Sequence, residues 1–177
     1  MPPPPGLGAI RPGVTTNALA TAPTTSIPPE VLAKLQKSVP WLLMAGDLDG
    51  DGRLFLAEYQ ASNLERAEHL PQNYFQAVDS DHNGYIDPTE AGSDVAIRLY
   101  YNALVAQVPA VFQAVDRNHD GAITLAEWED YFKDVPVDAD LPVFREVFLE
   151  TAGGPNGTVT RAQFEPMWWQ SYARTSM

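Results

Sequence analysis

Apolar residues recur at helical spacing from about residue 27 onward, and short polar segments that contain glycine interrupt them at regular intervals. The first apolar series predicts a helix that begins near Pro29 and that Pro40 should kink or split. Its members are Ile27, Val31, Leu32, Leu35, Val39, Leu42 and Leu43. The periodicity therefore predicts an all-α protein.

Further helices are predicted on both sides of each polar segment. Asp140 is expected to cap the helix that begins at Leu141, and Pro109 is expected to bend the longest helix. The predicted ranges are 59–69, 72–78, 89–115, a helix that ends near Lys133, 141–151 and 164–172.

The polar segments share one pattern. Residues 79–90 carry oxygen-bearing side chains at the first, third, fifth and ninth positions, glycine at the sixth, isoleucine at the eighth and glutamate at the twelfth. Residues 47–58 and 116–127 repeat the key positions of this pattern. The sixth-position glycines follow one another at spacings of 32, 37 and 36 residues: Gly52, Gly84, Gly121 and a fourth, Gly157. Such a period indicates repeated copies of one helix–loop–helix unit.

This pattern is that of a twelve-residue calcium loop. Calcium takes about six to eight oxygen ligands, and a glutamate at the twelfth position can bind it with both oxygens, whereas magnesium, a possible competitor, demands a tighter octahedron. Three Ca²⁺ sites are predicted, with the seventh-position residues Arg53, Tyr85 and Ala122 contributing only their carbonyls. The predicted ligands are Asp47, Asp49, Asp51, Arg53 and Glu58; Asp79, Asp81, Asn83, Tyr85 and Glu90; and Asp116, Asn118, Asp120, Ala122 and Glu127.

The fourth copy, around Gly157, has lost its carboxylates but keeps its apolar residues. We expect it to fold without metal and to pair with the third loop, since a single helix–loop–helix leaves an apolar face exposed. Short antiparallel bridges are predicted between paired loops at the apolar eighth positions. Those residues are Leu54, Ile86, Ile123 and Val159.

Charge supports a ligand role for these acids. The chain of 177 residues has a net charge of −12, and 11 of its 23 acidic residues lie in the three loops. Three divalent cations, which together carry six positive charges, would reduce the net charge to −6. The acidity disfavours nucleic acid and anionic lipid as partners.

The chain has no cysteine, which excludes thiolate metal sites, and no run of 18 apolar residues, so we expect no membrane span. His82 and His119 are expected to lie on the surface.

Residues 1–29 form a leader of different composition, with eight prolines, one arginine and no acid. Such a segment cannot bury enough apolar area to fold alone, so we expect it to be extended or disordered, or ordered by a partner. It lacks the basic and apolar regions of a secretory signal, which favours an intracellular, cytoplasmic protein. Its Thr and Ser content leaves an organellar location as the alternative.

These loops make the chain resemble the EF-hand (calmodulin) superfamily over about residues 30–172. The resemblance implies two paired lobes, which we place at residues 30–106 and 107–177, and roles that range from sensor to buffer to fixed subunit. The chain departs from the family in its empty fourth loop, its Pro-rich leader and Gly46 before the first loop.

Function is expected to be non-enzymatic, since the sequence shows no nucleophile–base set and no phosphate-binding glycine loop. We predict a calcium-responsive adaptor or a calcium-stabilised subunit of a larger assembly, with a compact buffer of the sarcoplasmic type as the alternative. The leader and the Trp168–Trp169 pair are the predicted partner contacts. Adjacent residues of one helix are not expected to face inward together, so we expect one of the two tryptophans to meet a partner or another helix.

Overall fold

The structure is a computed structural model, which describes residues 26–133 and 141–175, apart from the Ala67 side chain. The described residues are mostly helical, with four very short strands, which confirms the predicted all-α fold. The elements are α1 (Pro29–Met44), β1 (Leu54–Phe55), α2 (Leu56–Ala61), α3 (Leu64–Ala67), α4 (Tyr74–Val78), β2 (Tyr85–Ile86), α5 (Pro88–Ala91), α6 (Asp94–Val115), β3 (Ala122–Thr124), α7 (Leu125–Phe132), α8 (Leu141–Ala152), β4 (Thr158–Thr160) and α9 (Arg161–Arg174).

The described residues divide into two compact units, and the division falls inside α6, between residues 106 and 107. Each unit contains one antiparallel strand pair, β1 with β2 and β3 with β4. Leu54 pairs with Ile86 and Ile123 with Val159, and all four side chains are fully buried. The prediction that the eighth positions pair through short antiparallel bridges is therefore confirmed.

The core of the first unit is built on one face of α1 and on three aromatic rings. Tyr59 of α2 stacks on Tyr74 of α4 with ring centroids 6.5 Å apart, and it lies 5.5 Å from Phe75. The buried residues of α1 follow the four-residue spacing of a helical face. They are Val31, Leu35, Val39 and Leu43, each 0% exposed.

The core of the second unit surrounds Trp128 of α7, which is 1% exposed. Its ring lies 4.8 Å from Phe132, 5.6 Å from Phe148 and 6.4 Å from Trp168. Phe164 adds a further edge-to-face contact at 6.1 Å. Aromatic pairs at these distances add to the free energy gained from burial alone.

Two prolines lie inside helices without dividing them. Pro40 does not split α1, which runs without interruption from Pro29 to Met44. Pro109 likewise lies within the single helix α6. A proline removes one intrahelical hydrogen bond. In α1 the residues on both sides, Val39 and Leu43, are fully buried, so packing holds the helix through that position.

Two predicted helices are instead divided at other residues. The segment predicted at 59–69 forms α2 and α3, separated by Asn63 in the left-handed conformation (φ 58°). The segment predicted at 89–115 forms α5 and α6, because the Ser93 hydroxyl accepts the Ala96 N–H at 3.2 Å and starts a new helix. Local capping chemistry thus outweighs continuous apolar spacing. The predicted cap at Asp140 lies outside the described residues.

Trp168 and Trp169 are both buried, with 3% and 5% of their side chains exposed. The expectation that two adjacent residues of one helix do not both face inward was therefore wrong. Trp168 packs on Trp128, whereas Trp169 packs edge to face on Tyr172 at 6.1 Å. Two adjacent residues of a helix can both be buried when the helix is covered over more than one narrow stripe, as α9 is.

By length and composition alone, α6 is the one helix within the described residues that could cross a membrane. Its most apolar window has a mean hydropathy of 1.3, and 56% of that window is buried inside the protein. Burial of this kind is typical of the core helix of a folded domain, and it accounts for the apolar composition of α6.

Candidate metal centres

The first loop gathers three carboxylates. Oxygen atoms of Asp47, Asp49 and Glu58 all lie within 4.8 Å of one another. Asp47 ends the turn that follows α1, and Glu58 projects back from the first turn of α2. Three oxygens this close form a cluster of the size that a hard cation requires.

The second loop gathers an equivalent set. Oxygen atoms of Asp79, Asp81 and Glu90 lie within 4.8 Å of one another. Asp79 is 5% exposed and Glu90 is 8% exposed, so this cluster is less accessible to water than that of the first loop. Because burial lowers the effective dielectric constant, it strengthens both the repulsion between these carboxylates and their attraction for a bound cation.

The first-position aspartates are held by the backbone of their own loops. In each of the first three loops the sixth-position glycine N–H donates to one oxygen of this aspartate. These bonds run from Gly52 to Asp47 at 2.8 Å, from Gly84 to Asp79 at 3.1 Å and from Gly121 to Asp116 at 3.0 Å. The glycines have φ of 85°, 91° and 86°, a region that other residues enter at a cost.

The twelfth-position glutamates are held across the loop by two sets of donors. One oxygen of Glu90 accepts the Ser80 N–H at 2.7 Å and the Ser80 hydroxyl at 2.9 Å, and the other accepts the Asp87 N–H at 3.2 Å. Glu58 and Glu127 accept N–H groups from the same loop positions. These bonds aim both oxygens of each glutamate inward, as binding through both oxygens requires.

Hydrogen bonding keeps these carboxylates charged. The Gly52 N–H lowers the pKa of Asp47, with further donors at Gly50 and Asp51, against the opposing effect of burial. Burial would raise the pKa of Glu127, but the Thr124 N–H and hydroxyl, followed by other backbone donors, lower it overall. Both groups are therefore ionised at neutral pH, the form that binds a cation.

The third loop is arranged less tightly than the first two. The Asn118 amide donates to one oxygen of Asp120 at 3.0 Å, and the other oxygen of Asp120 accepts the Ala122 N–H at 2.9 Å. Across the described ranges, clusters of three acidic oxygens are found only in loops one and two. Asn118 brings a neutral amide to the third position, which reduces the charge that this loop offers to a cation.

The seventh-position residues, whose carbonyls are predicted ligands, lie in or beside the short strands. Tyr85 and Ala122 lie in β2 and β3, and Arg53 directly precedes β1. His82 and His119 are exposed, as expected, and both adopt positive φ at the fourth position (57° and 56°). Histidine is among the residues that tolerate this conformation comparatively well.

The fourth loop has a different backbone. Gly153 and Gly154 take positive φ (74° and 120°), whereas Gly157 at the sixth position does not. Its fourth-position residue is Pro155, whose ring fixes φ near −65° and so excludes the conformation found there in the other loops. The missing carboxylates were recognised from the sequence, but the effect of Pro155 was not. It becomes clear when Pro155 is compared with His82 and His119 at the same position of the other loops.

One part of the loop pattern survives in the fourth copy. Gln163 at the twelfth position accepts the Thr160 N–H at 3.0 Å and its hydroxyl at 2.8 Å, as Glu127 does from Thr124. The amide thus reproduces the hydrogen bonds of the glutamate without its charge. The start of α9 is preserved while the metal chemistry is lost.

The sequence model of a known family, the EF hand, matches residues 72–90 and 110–133, which cover loops two and three. Each of the two matched segments carries an EF-hand motif. Calcium binding is the property that these two EF-hand segments support, and the acidic clusters supply the chemistry for it. Loops one and four lie outside the matched segments, so their assignment rests on the repeat and on the geometry above.

Other comparisons add little to this EF-hand assignment. A solved structure of a redox protein from Chlamydomonas reinhardtii is similar at 20% identity and a TM-score of 0.29. The alignment covers 84% of this chain and 52% of that one, so the chain spans about half of its length. No curated protein matches the chain.

Proposed function

We propose that the protein binds three Ca²⁺ ions through loops one to three and acts as a calcium-responsive adaptor or calcium-stabilised subunit of a larger assembly. The observation that supports this is the convergence of three carboxylates in loop one and three in loop two, within 4.8 Å in each. Like charges at this distance repel one another, and a divalent cation removes that repulsion. The free energy of binding then becomes stability of the fold.

Calcium fits these sites better than magnesium. Glu58, Glu90 and Glu127 each have both oxygens directed inward by N–H donors, which allows two-oxygen binding and a coordination number above six. Magnesium requires a compact octahedron and gives up its water reluctantly. The role we propose is non-catalytic, because the carboxylates at the sites serve as ligands.

An adaptor role is supported by the surface of the first unit. Its exposed large apolar side chains are Trp41, Leu48, Phe55, Leu56 and Val95. A buffer remains the alternative, since large apolar side chains in the described part of the second unit are covered by its aromatic core. A calcium buffer would be expected to cover its large apolar side chains in both units.

Calorimetric titration of the calcium-free protein tests the stoichiometry. We expect three ions for the full chain and two for each of the single variants Glu58→Gln, Glu90→Gln and Glu127→Gln at moderate calcium concentration. Gln163→Ala in loop four is the matched control and should still bind three. One ion or four for the full chain would contradict the assignment of the loops.

Binding of an apolar dye with and without calcium tests the role. An adaptor should show a calcium-dependent rise in dye fluorescence, because the ion changes the exposure of apolar surface. The rise should be lost in Glu58→Gln and retained in Gln163→Ala. A full calcium titration with no change in dye binding would favour the buffer.

A further inference from the structure

Two Asn-Gly dipeptides occur in the chain, and both lie at the fifth and sixth positions of a loop. They are Asn83-Gly84 in loop two and Asn156-Gly157 in loop four. An asparagine followed by glycine is chemically unstable, because the glycine nitrogen can attack the side-chain carbonyl carbon of the asparagine without hindrance from a Cβ. The same reactive pair therefore stands at the same loop position in two different surroundings.

Loop two holds both reacting groups of its dipeptide. The Asn83 amide donates to one oxygen of Asp81 at 3.0 Å, and its carbonyl oxygen accepts the Tyr85 N–H at 3.0 Å. The attacking nitrogen, that of Gly84, donates to a carboxylate oxygen of Asp79 at 3.1 Å. Attack has to break these bonds, so the folded loop protects Asn83.

Loop four leaves its asparagine unrestrained. Asn156 is exposed, and within residues 26–133 and 141–175 its side chain has no hydrogen-bond partner. The Gly157 N–H donates to the Gly154 carbonyl oxygen at 3.2 Å, which is at the long end of the normal range. The Asn156 side chain can therefore turn onto the nitrogen that attacks it.

We propose that Asn156 is a site of spontaneous deamidation and that the fold protects Asn83 from the same reaction. The Gly157 nitrogen forms a bond to Cγ of Asn156, the Cγ–Nδ2 bond breaks, and the side-chain nitrogen leaves as ammonia with the proton of the Gly157 N–H. Water then opens the resulting succinimide ring at one of its two carbonyl carbons. Opening at Cγ gives aspartate, whereas opening at the backbone carbonyl gives isoaspartate, whose main chain is longer by the Cβ atom.

Isoaspartate at residue 156 disturbs a tightly packed part of the second unit. Gly157 lies so close to Ala152 that a Cβ on it would overlap the Ala152 carbonyl oxygen. A longer main chain directly before Gly157 cannot keep both this contact and the position of Thr158 in β4. Thr158 pairs with Thr124 of β3, so the change reaches the strand pair.

Thr124 connects the strand pair to loop three. Its N–H and its hydroxyl donate to one oxygen of Glu127 at 3.0 and 2.8 Å. Loss of the β3–β4 register therefore misplaces Glu127, the twelfth-position ligand. Deamidation in the empty loop thus lowers the calcium affinity of the loop that pairs with it, a consequence that rests on the proposed calcium site in loop three.

Incubation of the full chain with saturating calcium at mildly alkaline pH tests the selectivity. Trypsin cuts after arginine, which places Asn156 and Asn83 in separate peptides. Tandem mass spectrometry then measures deamidation at each asparagine, and we expect it to be at least tenfold faster at Asn156. The same incubation in urea removes the hydrogen bonds of the loops, so the difference between the two rates should disappear.

Calorimetric titration of the incubated protein tests the consequence. The deamidated chain is separated from the unmodified chain by its additional charge, and its isoaspartate fraction should bind calcium at loop three at least tenfold more weakly. Asn156→Gln is the matched control and should bind three ions with unchanged affinity after the same incubation. Asn156→Asp, whose main chain has its normal length, should also bind three ions.

Several results would overturn these inferences. Equal rates at the two asparagines in the folded chain, no deamidation at Asn156, or a rate difference that persists in urea would refute the selective site. Unchanged affinity in the isoaspartate fraction, or the same loss in incubated Asn156→Gln, would refute the link to loop three. A freshly prepared chain that binds fewer than three ions refutes the proposed function, whereas the comparison of deamidation rates does not depend on that count.

Discussion

Gly157 lies directly against the backbone carbonyl of Ala152, so that a Cβ at residue 157 would overlap the carbonyl oxygen and lie 2.7 Å from the carbonyl carbon. In the first three loops a carboxylate at the first position accepts the sixth glycine N–H. In the fourth loop the chain closes on itself at the same place. This close approach leaves no room for a side chain at residue 157.

Replacement of this glycine should therefore destabilise the second unit. Gly157→Ala is expected to cost about 1–3 kcal/mol in the free energy of unfolding, as overpacking does. The measurement is urea unfolding followed by tryptophan fluorescence, because Trp128, Trp168 and Trp169 all lie in this unit. Gly92→Ala is the control, since its nearest atoms are 3.5 Å away and its φ is not positive. If the two variants are equally stable, the contact between a side chain at residue 157 and the Ala152 carbonyl does not destabilise the fold.

Carboxylates alone should not restore the fourth site. The double variant Ala152→Asp with Gln163→Glu returns acids to the first and twelfth positions, but Pro155 still excludes the positive φ that the fourth position has in the other loops. Calorimetry should continue to count three calcium ions. A fourth ion bound at comparable affinity would show that backbone conformation does not decide the loss of this site.

Glu68 should make the first unit pH-dependent. It is 7% exposed and accepts a hydrogen bond from the Tyr100 hydroxyl at 2.8 Å, and burial raises its pKa, opposed by that bond and by His69. A carboxyl group with a raised pKa in the folded state favours folding most when protonated, so stability is lost as pH rises from 4.5 through the folded-state pKa. Glu68→Gln should be more stable than the natural chain at pH 7 and equal to it near pH 4.

Thermal unfolding between pH 4 and pH 8 measures this difference. Glu65→Gln is the control and should follow the natural chain at every pH, because Glu65 is a partly exposed acid of α3, the short helix that ends just before Glu68. A Glu68→Gln curve parallel to that of the natural chain would mean that Glu68 titrates alike in the folded and unfolded states.

Asn63 should be replaceable by glycine but not by alanine. Its φ of 58° divides α2 from α3, and an ordinary L-residue pays about 1 kcal/mol there. Asn63→Ala should lose this amount in the free energy of unfolding, while Asn63→Gly should stay within about 0.5 kcal/mol. Circular dichroism in urea measures both, with Gln60→Ala on the exposed side of α2 as control. A stabilised Asn63→Ala would indicate that the two helices can join.

Much of the architecture could be predicted from local signals. The eighth-position residues Leu54, Ile86, Ile123 and Val159 are all fully buried and paired as predicted, because the twelve-residue pattern fixes both the turn and the strand. The structure also brings three acids of loop one together and, separately, three acids of loop two. Calcium loops are encoded over a short stretch, so a single segment contains nearly all the information that its site needs.

Where predictions were wrong, distant contacts or competing caps decided the outcome. Pro40 stays within α1, whose core-facing residues Val39 and Leu43 are fully buried. The Ser93 cap starts α6 where apolar spacing alone would have continued α5. Burial of both Trp168 and Trp169 depends on how much of the α9 surface is covered by other elements, and the sequence of α9 does not specify this.

The sequence by itself determined the repeat, the positions of the acids in the loops and the pairing of the loops, because each depends on residues a few positions apart. Only the tertiary structure decided which apolar residues were left outside the core. Leu54 is buried while Leu48, Phe55 and Leu56 in the same loop are exposed. Burial depends on the surface that other segments bring to a side chain, and no local pattern specifies that surface.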